Sequence, residues 1–186
     1  MKKEFYTMTI AGLERNLPVC KLNDDLCIAA FVLFGDVELT VTAAAELIKL
    51  APPHDIIITP EAKAIALAHE MARQEDNMTY IVARKHVKLY MKDVFSVEVK
   101  SITTESKQTL YIDSVEADMM KGKRVLIVDD VISTGGSIYA VEKLVEEAGG
   151  IIAGKMAVLA EGDSKDRDDI IYLEYLPLLD KNGDPV

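Results

Sequence analysis

The run Arg124-Val-Leu-Ile-Val-Asp-Asp-Val-Ile-Ser-Thr-Gly-Gly-Ser-Ile138 takes an apolar segment straight into two carboxylates and then into a loop of small, hydroxyl-bearing residues. Val125 to Val128 have no polar alternation, as expected of a strand covered on both faces. Asp129 and Asp130 then fall at its carboxyl end, where open α/β sheets bind ligands. Ser133, Thr134, Gly135, Gly136 and Ser137 lack bulk, so backbone N–H and side-chain O–H groups can converge on a phosphate at the start of the next helix. The paired acids would repel a phosphate but accept hydrogen bonds from sugar hydroxyls. Together these residues describe a ligand with a phosphate at one end and a diol at the other.

This segment resembles the phosphoribosyl pyrophosphate (PRPP) signature of the type I phosphoribosyltransferases, in which hydrophobic residues precede Asp-Asp and a Thr-Gly-Gly-Ser/Thr loop. The chain contains neither the Gly-x-x-x-x-Gly-Lys-Ser/Thr loop of nucleoside triphosphatases nor a Gly-x-Gly-x-x-Gly dinucleotide fingerprint. The resemblance implies that Asp129 and Asp130 orient a ribose and that Ser133 to Ser137 hold its 5-phosphate.

Composition narrows the class. At 186 residues, a single domain with one buried core is the expectation, since no segment has the character of a linker. A formal charge of -10 disfavours a dedicated nucleic-acid binder, which needs clustered Lys and Arg. No apolar run reaches membrane-spanning length, and Glu4 follows Lys2 and Lys3 too soon for a secretory signal, so a cytoplasmic protein without nucleic-acid or membrane partners is expected. Cys20 and Cys27 lie in apolar surroundings without Cys-x-x-Cys spacing and read as reduced core residues, and the three histidines form no zinc-type pattern.

Periodicity supplies the rest of the architecture. Glu4 to Ile10 and Leu26 to Leu33 read as strands of an amino-terminal lobe. Asp36 to Leu50 reads as a helix with Thr40 or Thr42 near its start, closed by Pro52-Pro53. Asp55 to Thr59, the helical face of Glu61 to Arg73, and Met78 to Ala83 form a βαβ unit. Phe95 to Val99 and Thr109 to Ile112 are strand-like around a polar tip, Ser101 to Lys107. A helix from Ile138 to Ala148 ends at Gly149-Gly150, with strands at Ile151 to Leu159 and Asp169 to Tyr175 beyond it. The polar Asp180 to Val186 reads as a frayed tail. The sum is an α/β chain with a mostly parallel sheet flanked by helices and a small N-terminal hood lobe of about residues 1–35.

Three further segments bear on the site. In Ile56-Ile-Ile-Thr-Pro-Glu-Ala-Lys-Ala64 a buried strand ends in a turn with backbone donors. Glu61, Ala62 and Lys63 resemble the Glu-Ala-Arg/Lys of the pyrophosphate loop in adenine-type members, and equally fit a capped helix with Glu in its first turn. Arg84 and Lys85, with Lys88 nearby, resemble the basic pair that family members aim at the departing pyrophosphate, while a basic pair is also the ordinary content of a solvated loop. The resemblance makes Ser101 to Lys107 a hood over the sugar, with Glu105 near the place of a loop glutamate. Here Thr104-Glu105-Ser106 replaces the usual Glu-Tyr-Gly, and an exposed loop charge is the competing reading. Phe34 and Leu159 are read either as walls of a base pocket or as core.

By resemblance, then, the chain is expected to be an adenine-type purine phosphoribosyltransferase that uses PRPP and a purine base. Magnesium would be bound through PRPP rather than directly by the protein, and a homodimer is the family's usual assembly. Ser133, where enzymes for 6-oxopurines usually carry Asp, favours adenine. Two alternatives are open: a PRPP-sensing regulator without turnover, and the same reaction on a 6-oxopurine or orotate.

Overall fold

A computed structural model describes residues 3–77, 79–100 and 107–186. In chain order the elements are β1 (Phe5–Ile10), β2 (Leu13–Lys21), β3 (Leu26–Ala29), α1 (Val37–Leu50), β4 (Ile56–Pro60), α2 (Ile65–Gln74), β5 (Ile81–Ala83), β6 (Phe95–Lys100) and β7 (Lys107–Ile112). They continue with α3 (Ser114–Met120), β8 (Arg124–Ile132), α4 (Gly136–Glu147), β9 (Ile151–Glu161), a 3-10 helix (Gly162–Asp166), β10 (Ile171–Leu176) and β11 (Leu179–Asp180).

The main sheet has the order β10-β9-β8-β4-β5, with every pairing parallel. Its central strand explains its own composition. Leu126 and Val128 belong to a core shared with α1, α2 and the amino-terminal sheet, whereas Val125 and Ile127 belong to a second core under α4 and the β6–β7 hairpin. Because alternate side chains of a strand face opposite ways, a strand covered on both faces must be apolar throughout. The expected α/β architecture is therefore present, with an antiparallel sheet β1-β2-β3-β11 as the amino-terminal lobe.

Local chemistry sets several boundaries. Ala11 and Gly12, both at positive φ, make the two-residue turn joining β1 to β2. Strand β2 has no counterpart in the periodicity, since Pro18 interrupts a run that the sheet nevertheless tolerates. Helix α1 begins at its expected place, with Asp36 as its cap: the Asp36 carboxylate accepts from Leu39 N at 3.0 Å and from Arg15 Nε at 2.6 Å, pinning the helix to β2. Helix α3, with seven residues too short to register by periodicity, begins at a capping box between Asp113 and Glu116. Cys27 is buried but Cys20 is exposed, contrary to its reading as core; both are free thiols.

The end of the chain is ordered, not frayed. β11 pairs antiparallel with β3, and Leu179 is fully buried. The Asp180 carboxylate accepts from Asn182 N at 2.8 Å and Asp184 N at 2.9 Å, and Lys3 N donates to Asn182 O at 2.8 Å. A polar, turn-rich composition here satisfies its own backbone in a tight turn. Leu179→Ala should consequently cost about 2–5 kcal/mol in urea unfolding, whereas a frayed terminus would make it silent.

Candidate active site

A cavity of about 380 Å³ opens at the carboxyl ends of the parallel strands. The β3–α1 connection, the β4–α2 turn, the end of β8 and the ends of β9 and β10 all contribute to it. Asp129 and Asp130 form its floor. Strand β8 runs past them to Ile132, so the acids lie within the strand and are buried, with 8% and 5% exposure. Asp130 N donates to Asp129 Oδ1 at 2.8 Å. Asp130 Oδ2 is buried without a hydrogen bond, and the nearest cation, Lys63 Nζ, stands 3.6 Å away. Burial first, and the neighbouring Asp130 carboxylate second, push the Asp129 carboxyl well above the ordinary carboxylate range. Here are acceptors held out of water with too few donors.

The expected anion loop lies beside them. A second cup, about 50 Å³ in volume, is formed by Asp129 and the residues from Val131 to Ile138. Gly135 occupies the amino-terminal cap of α4 at φ +81° and offers no side-chain cap, so the first N–H groups of this 12-residue helix are left for a ligand. The φ of Gly135 favours glycine, and a Cβ there would lie 2.4 Å from Arg167 Nη1, the tip of a side chain that would have to shift. Arg167 is held there by Asp169, to which its Nε and Nη2 donate at 2.8 and 2.7 Å. Lys155 joins Asp169 to Glu142 of α4. No motif signals Arg167 in advance, because its partners come from β9, α4 and the loop before β10.

The β4–α2 turn supplies the third wall. The Glu61–Ala62 peptide is cis, and helix α2 starts only at Ile65, later than its expected start at Glu61. Glu61 is committed internally: its Oε2 accepts from Lys85 N at 2.9 Å, and Lys88 Nζ lies 3.7 Å from its other oxygen. The Lys85 N–H is the main cause that holds the Glu61 carboxyl below its usual range. Glu61, Ala62, Lys63 and Lys85 all face the cavity. Arg84 instead exchanges backbone hydrogen bonds with Tyr111, and its guanidinium lies 5.7 Å from the Tyr90 ring centroid, outside the cavity lining.

Neither of the two residues read as wall or core lines the cavity. Leu159 is fully buried in the core. Phe34 is 55% exposed and borders a separate apolar groove between α1 and α2. The apolar wall is formed by Ile28, Phe31, Val32 and Leu176 instead. Glu105 lies outside the described residues. The reading of motifs missed Glu161, a half-buried carboxylate at the end of β9 that faces the same cavity. The rule that picked out Asp129, an acid closing an apolar strand, applies to Leu159-Ala-Glu161 as well.

A family model described as "Phosphoribosyl transferase domain" matches residues 40–184. The chain belongs to this family. Over 113 residues it is 40% identical to a hypoxanthine/guanine phosphoribosyltransferase of Methanococcus voltae, a match covering 61% of this chain and 56% of that protein, little more than half its length. It is 34% identical over 137 residues to an adenine phosphoribosyltransferase of Oenococcus oeni, covering 73% of this chain and 75% of the relative. Among solved structures, an adenine phosphoribosyltransferase of Thermoanaerobacter pseudethanolicus superposes with a TM-score of 0.63 at 28% identity, covering 77% of this chain and 84% of that one. This phosphoribosyltransferase domain thus resembles relatives of both base types.

The buried acids make a stability prediction. Because burial raises the folded-state pKa of Asp129, stability falls as pH rises above about 4, where the unfolded chain ionises this carboxyl and the fold keeps it protonated. Asp129→Asn should raise the ligand-free Tm at pH 7.5 by about 2–4 °C, the shift of roughly 1 kcal/mol in a chain of this size. The gain should vanish below about pH 3, where Asp129 is neutral in both states. Differential scanning calorimetry at the two pH values checks it.

Proposed function

We propose that this domain transfers the 5-phosphoribosyl group of PRPP to a purine base, adenine first, giving a nucleoside monophosphate and pyrophosphate in purine salvage. The observation that carries the reading is the buried Asp129–Asp130 pair, short of donors and sharing one cavity with an uncapped, glycine-started helix. A ribose with two adjacent hydroxyls supplies the donors, and its 5-phosphate takes the N–H groups of the loop from Ser133 to Ser137. Lys63 and Lys85, on the opposite side, would stabilise the negative charge that collects on departing pyrophosphate, with Lys88 behind Glu61. Arg84, turned toward Tyr90, would have to swing to join them.

Catalysis would come from positioning and electrostatics. As the C1–O bond of PRPP lengthens, positive charge develops on the sugar, and the acids beneath it favour that charge. The apolar wall of Ile28, Phe31, Val32 and Leu176 fits a flat heterocycle and keeps water from the cationic carbon. Magnesium would be held chiefly by substrate oxygens and would supply charge neutralisation of the pyrophosphate. Asp130 Oδ2, an unpartnered carboxylate oxygen, is of the hard type that such an ion accepts.

Adenine is favoured by the small Ser133 and by the Oenococcus oeni relative. The Methanococcus voltae relative supports a second reading, with hypoxanthine or guanine as acceptor. Nucleotide formation from PRPP and magnesium with adenine, hypoxanthine, guanine, xanthine and orotate separates them. AMP as the main product is expected; inosine or guanosine monophosphate would transfer the assignment, and PRPP binding without turnover on any base would make the protein a sensor. Asp130→Asn should lower kcat/KM for PRPP about 10–100-fold, the worth of one charged hydrogen bond. Unchanged turnover would remove the ribose from this floor.

A further inference from the structure

The cavity holds one carboxylate that the assignments above leave without a task. Glu161 stands at the end of β9, half-buried, and among the described residues no group hydrogen-bonds its carboxylate. The neighbouring strand puts it beside the signature loop: Ala160 pairs with Ile132, so Glu161 ends β9 alongside the point where Ser133 begins the loop after β8. Ser164 clasps this arrangement. Its buried Oγ lies 2.6 Å from Ile132 O and 2.8 Å from Glu161 O, and its single proton can be donated to either carbonyl. The backbone bearing Glu161 is therefore tied to the end of β8. Leu176, its partner on β10, contributes to the apolar wall.

We propose that Glu161 reads the five-membered ring of the incoming purine, accepting a hydrogen bond from its ring N–H and taking that proton as the new bond to the sugar forms. The inference rests on the transferase reading above and adds a residue to it. The chemistry demands an acceptor. The C1–O bond breaks with its electron pair leaving on pyrophosphate, and the unprotonated imidazole nitrogen forms the bond to C1. Positive charge then shared by the ring acidifies the proton on the other nitrogen, which passes to Glu161 and on to water. Among the other described carboxylates lining the cavity, Asp129 and Asp130 are given to the ribose by the reading above and Glu61 accepts from Lys85 N. Burial raises the Glu161 carboxyl above its usual range, which makes it a stronger base, and Lys63 opposes that shift. The other charged groups lining the cavity are Lys85, Asp129, Asp130 and Glu61.

The test uses Glu161→Gln and Glu161→Asp in the full chain, beside the wild type. Glu161→Gln should lower kcat about 10²–10⁴-fold, abolish the acidic limb of the wild-type pH profile, and leave PRPP affinity by calorimetry within about threefold. Its Tm should not fall, since an unpartnered half-buried carboxylate gives nothing to the fold. Glu161→Asp, shorter but ionisable, should recover part of the rate and the acidic limb. A loss of kcat under tenfold, an unchanged pH profile, or a fall in Tm with loss of PRPP binding would each overturn the proposal. Failure of the wild type to turn over any purine would remove the transferase reading itself, and the role of Glu161 with it.

Discussion

Two neighbouring carboxylates inside a parallel strand are the constraint around which this molecule is arranged. Asp129 and Asp130 are buried next to one another, and Asp130 Oδ2 has no hydrogen-bond donor. Leaving a buried acceptor unsatisfied costs about 1–3 kcal/mol, more when it is charged. The fold bears this cost because β8 is clamped between β4 and β9 and buried on both faces, so the strand has no freedom to turn the acids toward water. Lys63 eases the charge from 3.6 Å without supplying a hydrogen bond. The cost is local and directional: a ligand bringing hydroxyl donors to this spot would relieve it.

Everything else at the site is placed relative to that floor. The α4 cap presents N–H groups on one side, and the turn after β4 presents cations on another. An ion-pair chain from Glu142 through Lys155 and Asp169 to Arg167 brings the Arg167 guanidinium close to Gly135 of the anion loop. On the cationic side Glu61, which lines the cavity, accepts from Lys85 N. On the proposed reading, phosphate, pyrophosphate and base would receive separate environments within one cavity.

What was legible in the sequence is what is encoded locally. The β8 segment could be read because strand, acids, loop and helix start are contiguous, and each signals by its own chemistry. The strands β4 and β9 and the helix α4 were readable from the same regularities. The failures share a different cause. The carboxyl-terminal turn is fixed by β3 and Lys3, partners distant along the chain. Leu159 and Phe34 have the right residue types for a base wall, but strand direction puts the first in the core and loop geometry puts the second in another groove. Glu161 gains its significance only when β9 is laid beside β8 with Ala160 against Ile132.

The central claim is that the buried acids are completed by the sugar diol. It is tested most directly by titrating the protein with ribose 5-phosphate and with 2-deoxyribose 5-phosphate at the same pH and ionic strength. The two differ by one hydroxyl and share the phosphate. The account predicts that ribose 5-phosphate binds about tenfold or more tightly, as expected for the loss of a hydrogen bond to a buried carboxylate worth roughly 1.5–3 kcal/mol. Equal affinities would contradict it, showing that the phosphate loop alone holds the ligand and that Asp129 and Asp130 serve some other purpose.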